Sequence, residues 1–219
     1  MVTRLLILLL SAAACFSCQR QIEEVPVDLG FDYQPLEVGL YWTYEVDQTI
    51  YFGENDSEQS DFYYKDEIKS FYVNEAGEQV YIVERAKSSD QSDWAEEIQF
   101  TLLLRNFSLI RTIDNEPIVS LVFPPSVGTS WDGNSYRSLG KDEFSLINES
   151  TDVLKVIQED SEDQITYRDI RYETYSKGVG MIEKYSEVLT YCSRNDCLGD
   201  QLINSGTKIH MKTIDHGKN

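Results

Sequence analysis

Stretches in which polar and apolar residues alternate recur along most of this chain, and this period of two constrains the fold more than any other feature. In the segment YWTYEVD, Trp42, Tyr44 and Val46 fall on one side and polar residues fall between them. The same alternation returns at 97–105 and at 207–212. Successive side chains of a β-strand point to opposite faces, so each of these segments predicts a strand with one apolar face.

Turn-forming residues separate the alternating segments. The residues NEAG at 74–77 stand between two apolar runs at the spacing of a hairpin, and the prolines at 124–125 end the run IVSLVF. No long segment has convincing helical periodicity, although 163–175 could form a short helix. We therefore predict an all-β fold, a single curved and mostly antiparallel sheet of about nine to eleven strands, over residues 35–219. The pattern favours a half-barrel or barrel-like meander and leaves open whether the sheet closes.

The N-terminus has the pattern of a secretion signal. Arg4 precedes an uncharged, mainly apolar run over 5–17. This run is shorter than the roughly 20 residues that a helix needs to cross a bilayer, and it predicts a signal peptide. The following CFSCQRQ resembles a bacterial lipobox, in which small or apolar residues precede a cysteine that is acylated on sulfur. We predict a lipoprotein signal peptide at residues 1–17 and lipidation of Cys18, with Cys15 as the alternative.

The predicted lipid determines where we expect the protein to reside. Two or more attached acyl chains, such as palmitate, anchor a protein stably in a membrane. A protein with this anchor needs no membrane-spanning helix. Residues 18–34 have no sustained periodicity and predict a flexible tether between this anchor and the domain. The expected location is the bacterial cell envelope, at the outer membrane, with the periplasmic and the surface side both open.

The charge of the chain excludes one class of partner. It has 19 basic and 38 acidic side chains, a net charge of −19. Cleavage before Cys18 would remove one charged residue, Arg4, and would leave 18 basic residues and a net charge of −20. A field of this sign repels nucleic-acid phosphates and anionic lipid headgroups. We therefore expect no nucleic-acid partner, and we expect contact with the membrane through the acyl chains only.

Two cysteines remain after the predicted cleavage, Cys192 and Cys197 in YCSRNDC. Outside the cytoplasm such a close pair predicts a disulfide, and closing so short a loop stabilises a fold by about 2 kcal/mol. A redox switch or half of a zinc site are the functional alternatives. A zinc site would need two further ligands, and no histidine lies near in sequence.

Residue patterns typical of catalysis or metal binding are weak in this sequence. His210 and His216 lie six residues apart, about 20 Å along a strand, which is too far for one ion. Ser205 and Lys208 spell Ser-x-x-Lys but lead into a predicted strand rather than the helix that this motif requires. The acidic clusters around 54–58 and 159–163 fit solvated loop tips better than calcium sites. We predict no metal site and no cofactor.

Three segments together resemble a known group of proteins. They are PLEVGLYWTYEVD at 35–47, PPSVGTSWDGN at 124–134 and YETYSKGVGMIEKYSEV at 172–188. They are similar to the opening strand, the G-x-x-W turn and the K-G-x-G hairpin entry of uncharacterised β-rich lipoproteins of Bacteroidetes-type bacteria. The resemblance implies an envelope location and a curved antiparallel sheet, and it brings no catalytic residues with it. From the residues alone, KGVG at 177–180 predicts a bulge or a tight strand entry.

These observations favour a non-enzymatic binding or structural module. Aromatic-rich strands could line a concave apolar face, so a hydrophobic, lipid-like ligand is the leading expectation, with an envelope protein complex as another partner. A carboxylate-dependent hydrolase acting on glycans or peptides is the alternative. A cleft with two carboxyl groups, one of them with a raised pKa, would distinguish this alternative.

Overall fold

The structure of the chain is a computed structural model that describes residues 27–54 and 56–219. The predicted signal peptide and both candidate lipidation sites, Cys15 and Cys18, lie outside the described residues. Within them, the chain forms twelve β-strands and one short 3-10 helix at Phe31–Tyr33. The strands are β1 (Leu40–Gly53), β2 (Asp56–Val73), β3 (Gln79–Ser88), β4 (Ala95–Arg105), β5 (Ser108–Ile113), β6 (Glu116–Val122), β7 (Ser130–Asp132), β8 (Glu143–Ser150), β9 (Val153–Glu162), β10 (Tyr167–Ser176), β11 (Gly180–Tyr191) and β12 (Ile203–Lys218).

All twelve strands belong to one antiparallel sheet with the order β6-β5-β4-β3-β2-β1-β12-β11-β10-β9-β8-β7. Strand β1 pairs with β12, so the first and last strands lie at the middle of the sheet. The two edges approach each other, since the backbone N–H of Val119 donates to the carbonyl of Gly133 at 3.0 Å. The sheet is therefore nearly closed into a barrel. The predicted all-β class and single curved antiparallel sheet are confirmed.

The structure differs from the predicted pattern in two details. The sheet has twelve strands rather than nine to eleven, and one of them, β7, is only three residues long, too short to show alternation. The short helix considered over 163–175 does not form, because most of this segment belongs to strand β10. Register shifts occur between Arg171 and Tyr172 and between Thr174 and Tyr175. Such shifts interrupt the alternation from which a strand is recognised in sequence.

Apolar side chains fill the inside of the curved sheet. Trp42, Tyr44 and Val46, which alternate in sequence, are all buried there, as the pattern predicted. A smaller apolar cluster forms on the opposite face, around Leu103 and Val119. Trp131 covers it and donates its indole N–H to the carbonyl of Val119 at 2.8 Å. The sheet thus has a large inner core and a small outer one at its β3–β6 side.

The segment before β1 packs across one end of the sheet. Tyr33 is buried in the core, and Lys177 Nζ contacts Asp28 Oδ2 at 2.6 Å. The backbone N–H of Gly178 donates to the carbonyl of Asp32 at 2.8 Å. The folded unit therefore includes residues before Pro35, within the segment predicted as the tether.

The loop between β11 and β12 contains a disulfide between Cys192 and Cys197, whose Cα atoms are 5.9 Å apart. Both cysteines are buried. No helix in the described part of the chain is long and apolar enough to cross a membrane.

Candidate functional site

The inside of the sheet contains two adjacent cavities of opposite character. The larger, which we call the mouth pocket, lies at the end of the sheet covered by the 3-10 helix and has a volume of about 440 Å³. Its apolar wall is formed by Phe31, Leu36, Tyr81, Leu104, Leu109 and Phe123. Gln34 and Glu78 add polar groups to this lining. An apolar cavity with a few polar groups is the usual form of a small-molecule site.

Local backbone geometry places Phe31 over the mouth pocket. The 3-10 helix follows Gly30, whose φ of 71° lies in the left-handed region that favours glycine. A Cβ at this position would lie 2.7 Å from the side chain of Pro125. The Phe31 ring packs edge-on against Phe123, with ring centroids 5.0 Å apart. The chain turn at Gly30 therefore fixes the aromatic side of the pocket.

An ion pair lies at the polar side of the mouth pocket. Arg105 bonds Glu78 with two of its nitrogens, and Asn74 Nδ2 donates to the same carboxylate at 2.8 Å. These hydrogen bonds, first that from Arg105 and then that from Asn74, lower the pKa of Glu78 to about 2. Glu78 is therefore ionised, and the positive charge of Arg105 balances its negative charge.

The second cavity lies deeper and is surrounded by charges. Five side chains, Asp66, Arg85, Arg111, Glu173 and Lys184, form what we call the central charge cluster. All of them except Glu173 line a cavity of about 40 Å³, together with aromatic residues that include Trp42 and Tyr44. A volume of this size has room for a few water molecules or one small polar group.

One arginine of the cluster is fully paired. Arg85 Nε and Nη2 donate to the two oxygens of Asp66 at 2.6 and 2.7 Å. This bidentate geometry is the strongest form of an arginine–carboxylate pair. The guanidinium also lies 4.7 Å from the ring centre of Tyr64. Asp66 and Arg85 thus neutralise each other on β2 and β3.

The remaining three charges are not balanced. Arg111 Nη2 donates to Glu173 Oε1 at 2.5 Å, and Lys184 Nζ lies 3.5 Å from the same oxygen. Tyr175 donates its hydroxyl to the other oxygen of Glu173 at 2.7 Å. The Glu173 side chain is completely buried, whereas the Lys184 side chain is 28% exposed. One carboxylate therefore faces two cations, and the cluster carries a net charge of about +1.

The pKa values follow from this arrangement. Burial alone would raise the pKa of Glu173, but the charges of Arg111 and Lys184 outweigh it and lower the pKa to about 2. The pKa of Lys184 is lowered to about 8, mainly by burial. The negative charge of Glu173 raises this pKa, whereas the positive charges of Arg111 and Arg85 lower it further. At neutral pH, Glu173 is ionised and Lys184 is mostly protonated.

Gln34 separates the two cavities, because its side chain lines both of them. It lies beside the KGVG segment, in which Gly178 and Gly180 have positive φ angles of 76° and 109°. A Cβ on Gly180 would lie 3.2 Å from both Gln34 Nε2 and Trp42 Nε1. Here the predicted tight strand entry is confirmed, and it allows the chain to approach the junction of the cavities closely.

The residues singled out in the sequence lie away from these cavities. Cys192 and Cys197 form the expected disulfide in a loop. His210 is half-buried and its Nε2 lies 2.6 Å from Glu183 Oε1, whereas His216 is exposed. No group of three or more His, Cys, Asp or Glu side chains that could hold a metal ion occurs within 27–54 and 56–219.

The central charge cluster was missed in the sequence, although a signal for it exists. Arg111 stands between Leu109 and Ile113, two residues away from each on the same strand face. Asp66 stands in the same way between Tyr64 and Ile68. A charged residue within the apolar face of a strand predicts a buried charge that needs a partner. The partner itself cannot be named in this way, because Arg111 and Glu173 are 62 residues apart.

Among the solved structures that resemble this fold are two proteins from Bacteroidetes-type bacteria. One is a protein from Bacteroides fragilis, provisionally described as exported and as having a YmcC-like fold, with 9% sequence identity and a TM-score of 0.43. The other, from Parabacteroides distasonis, is provisionally described as a lipoprotein, with 8% identity and a TM-score of 0.42. Each likeness covers 84% of this chain and 98% of the other. At this level of similarity, neither the export nor the lipid attachment of these proteins carries over to this chain. No protein-family model and no curated protein matches the sequence.

Proposed function

We propose that this protein is a lipid-anchored, non-enzymatic lipoprotein of the bacterial cell envelope that binds a hydrophobic ligand in the mouth pocket. The observation that supports binding is the cavity of about 440 Å³ with six apolar residues in its wall. Cores of folded proteins are packed densely and leave few voids larger than a water molecule. The mouth pocket instead leaves a concave apolar surface in contact with water, and an apolar ligand that covers this surface would be stabilised by its removal from water.

The proposed location rests on the N-terminal sequence. The apolar run at 5–17 followed by Cys18 supports export and lipidation, and the tether would keep the sheet close to the membrane surface. Replacement of Cys18 by alanine is expected to release the protein from the membrane and to abolish incorporation of radiolabelled palmitate. If the Cys18→Ala variant stays labelled, Cys15 or another residue is acylated instead.

The hydrolase alternative finds no support at these cavities. A general acid needs a carboxyl group with a raised pKa, whereas the pKa of the buried Glu173 is lowered. Asp142 does have a pKa raised by burial and by nearby carboxylates, but it lines neither cavity. An Arg171 nitrogen lies 3.8 Å from the Asp142 carboxylate and lowers its pKa against these effects. We therefore propose ligand binding without chemical conversion.

Titration with the neutral fluorescent probe N-phenyl-1-naphthylamine tests the binding proposal. The protein is the segment 19–219, which contains all twelve described strands and both apolar clusters. We expect saturable enhancement of probe fluorescence, and we expect the variant Leu104→Trp to abolish it by filling the pocket. The matched control Leu139→Trp, at an exposed position, should bind as the wild type does. Equal probe binding by both tryptophan variants would show that the mouth pocket is not the site.

A further inference from the structure

We propose that the ligand is an anionic amphiphile, whose apolar part occupies the mouth pocket and whose carboxylate reaches the central charge cluster beside Lys184. This inference rests on the proposed function and names the chemical class of the ligand. It is carried by the adjacency of the two cavities, which share Gln34 in their lining, by the unbalanced charge of the cluster and by the hydrogen-bond donors of Lys184 at the inner cavity.

The geometry of the cavities requires a ligand with two unlike ends. The mouth pocket has an apolar wall, whereas the inner cavity is lined by three cationic side chains and Asp66. Gln34 lines both, so a molecule that passes its side chain would leave apolar surroundings and enter polar ones. An uncharged hydrocarbon would fill only the outer cavity, and a small free anion would fill only the inner one.

The sign of the charge selects an anion. The whole chain has a net charge of −19, yet its central charge cluster has three cations and two carboxylates. Excess positive charge in a largely enclosed site is costly, and one added anion would neutralise the cluster. A carboxylate fits this requirement because it brings a single negative charge in a small planar group.

The hydrogen-bond donors point to the position of that group. An ammonium group offers three N–H donors and a guanidinium offers five. Among the described residues, Lys184 has one anionic neighbour, Glu173, whose Oε1 lies 3.5 Å from the lysine nitrogen. The same oxygen is closer to Arg111, at 2.5 Å. The Lys184 side chain also keeps part of its exposure while it lines the inner cavity. The free N–H donors of Lys184 therefore lie at the inner cavity, where a ligand carboxylate would accept hydrogen bonds from them.

Competition between two ligands of equal chain length tests this inference. Decanoate and decan-1-ol share a ten-carbon chain and differ in the anionic end group. For the segment 19–219, we expect decanoate to displace N-phenyl-1-naphthylamine at a concentration at least about tenfold lower than decan-1-ol, the effect of one charge-assisted contact. Lys184→Met should remove this preference while leaving the affinity for decan-1-ol unchanged. Lys184→Arg should retain the preference.

Lys184 is a suitable position because its removal leaves Arg111 paired with Glu173, so the cluster becomes neutral and the fold is expected to persist. Lys141→Met is the matched control, because the Lys141 side chain is 62% exposed and lines neither cavity. It should behave as the wild type with both ligands. Circular dichroism of each variant shows whether the sheet is intact.

The outcomes separate the two proposals. If decanoate and decan-1-ol displace the probe equally well from the wild type, the anion site is wrong and the hydrophobic pocket stands. If Lys184→Met weakens both ligands to the same extent, the lysine supports the fold and does not contact the carboxylate, which also overturns the inference. If the probe itself does not bind, the proposed function fails together with the inference.

Discussion

The mouth pocket and the central charge cluster lie next to each other inside one sheet, yet they differ in both volume and polarity. The mouth pocket has about 440 Å³ of space and an apolar wall, whereas the cavity at the cluster has about 40 Å³ and is surrounded by charges. The pocket has space but offers few polar partners. The cluster offers charges and donors but has little space.

This difference helps to distinguish the side chains that stabilise the fold from those that are available to a ligand. Glu173, Arg111 and Tyr175 hold one another by short hydrogen bonds across β5 and β10 of the sheet, and such a buried network depends on every partner. Tyr81 and Leu104 at the mouth pocket are only half-buried, so fewer protein atoms pack against them. Changes at Glu173 or Arg111 should therefore affect stability, whereas changes at Lys184 or in the mouth pocket should mainly affect binding.

The largest effect is expected from removing the charge of Glu173. Glu173→Gln would leave the buried Arg111 and Lys184 without their anion, and breaking a buried ion pair in this way costs about 3–5 kcal/mol. Urea unfolding of the segment 19–219 measures the loss. A cost below about 1 kcal/mol would show that water solvates these charges and that the cluster is not a closed network.

The same pair of proteins gives a pH dependence. The pKa of Glu173 is lowered from 4.5 to about 2 in the folded state, so its contribution is fully present above about pH 4.5 and is lost as the pH falls toward 2. The stability difference between wild type and Glu173→Gln should therefore be largest between about pH 4.5 and pH 7, where Glu173 is ionised and Lys184 of the wild type is still protonated, and it should become smaller below pH 4.5. A gap of the same size at pH 3 and at pH 7 would be inconsistent with an ionised Glu173.

A smaller effect on stability is expected at the mouth pocket. Leu104→Ala removes a half-buried side chain beside space that already exists, so we expect a loss of about 1–2 kcal/mol, less than for a leucine in a packed core. Urea unfolding gives the stability, and probe titration should show weakened binding. A loss as large as that of Glu173→Gln would mean that the pocket is part of the packed core.

The smallest effect is expected at the surface, where charges face solvent. Lys141 and Glu143 form an ion pair in which both side chains are more than half exposed. Lys141→Met should leave the denaturation midpoint unchanged within error, because exposed pairs are weakened by solvent and salt. A clear shift would show that ion pairs of this protein stabilise it irrespective of burial, which would remove the contrast with Glu173.

Much of the fold could be predicted from the sequence, because alternation is a local property. Trp42, Tyr44 and Val46 show the inner face of β1, and the NEAG turn closes as expected, with the Asn74 N–H donating to the carbonyl of Glu78 at 3.0 Å. Strand β10 was obscured by two register shifts. The predicted lipidation of Cys18 and the absence of enzymatic activity stay predictions.

The site was less predictable, because it depends on contacts between distant segments. The flanking apolar residues mark Arg111 and Asp66 as inward-facing, but only the curvature of the sheet brings Arg111 to Glu173. The mouth pocket likewise combines residues of the 3-10 helix with those of β3, β4 and β5. No spacing in the sequence specifies a cavity, since a cavity is defined by the side chains that fail to fill it.

The central claim is that the interior of this sheet accommodates an amphiphilic molecule with a carboxylate. Native mass spectrometry of the segment 19–219 after incubation with a bacterial lipid extract tests it most directly. We predict a complex with one bound species, which is a carboxylic acid once released by denaturation, and which is missing in Leu104→Trp but present in Leu139→Trp. Recovery of the wild-type protein solely in its free form, or with the same species on Leu104→Trp, would contradict the account.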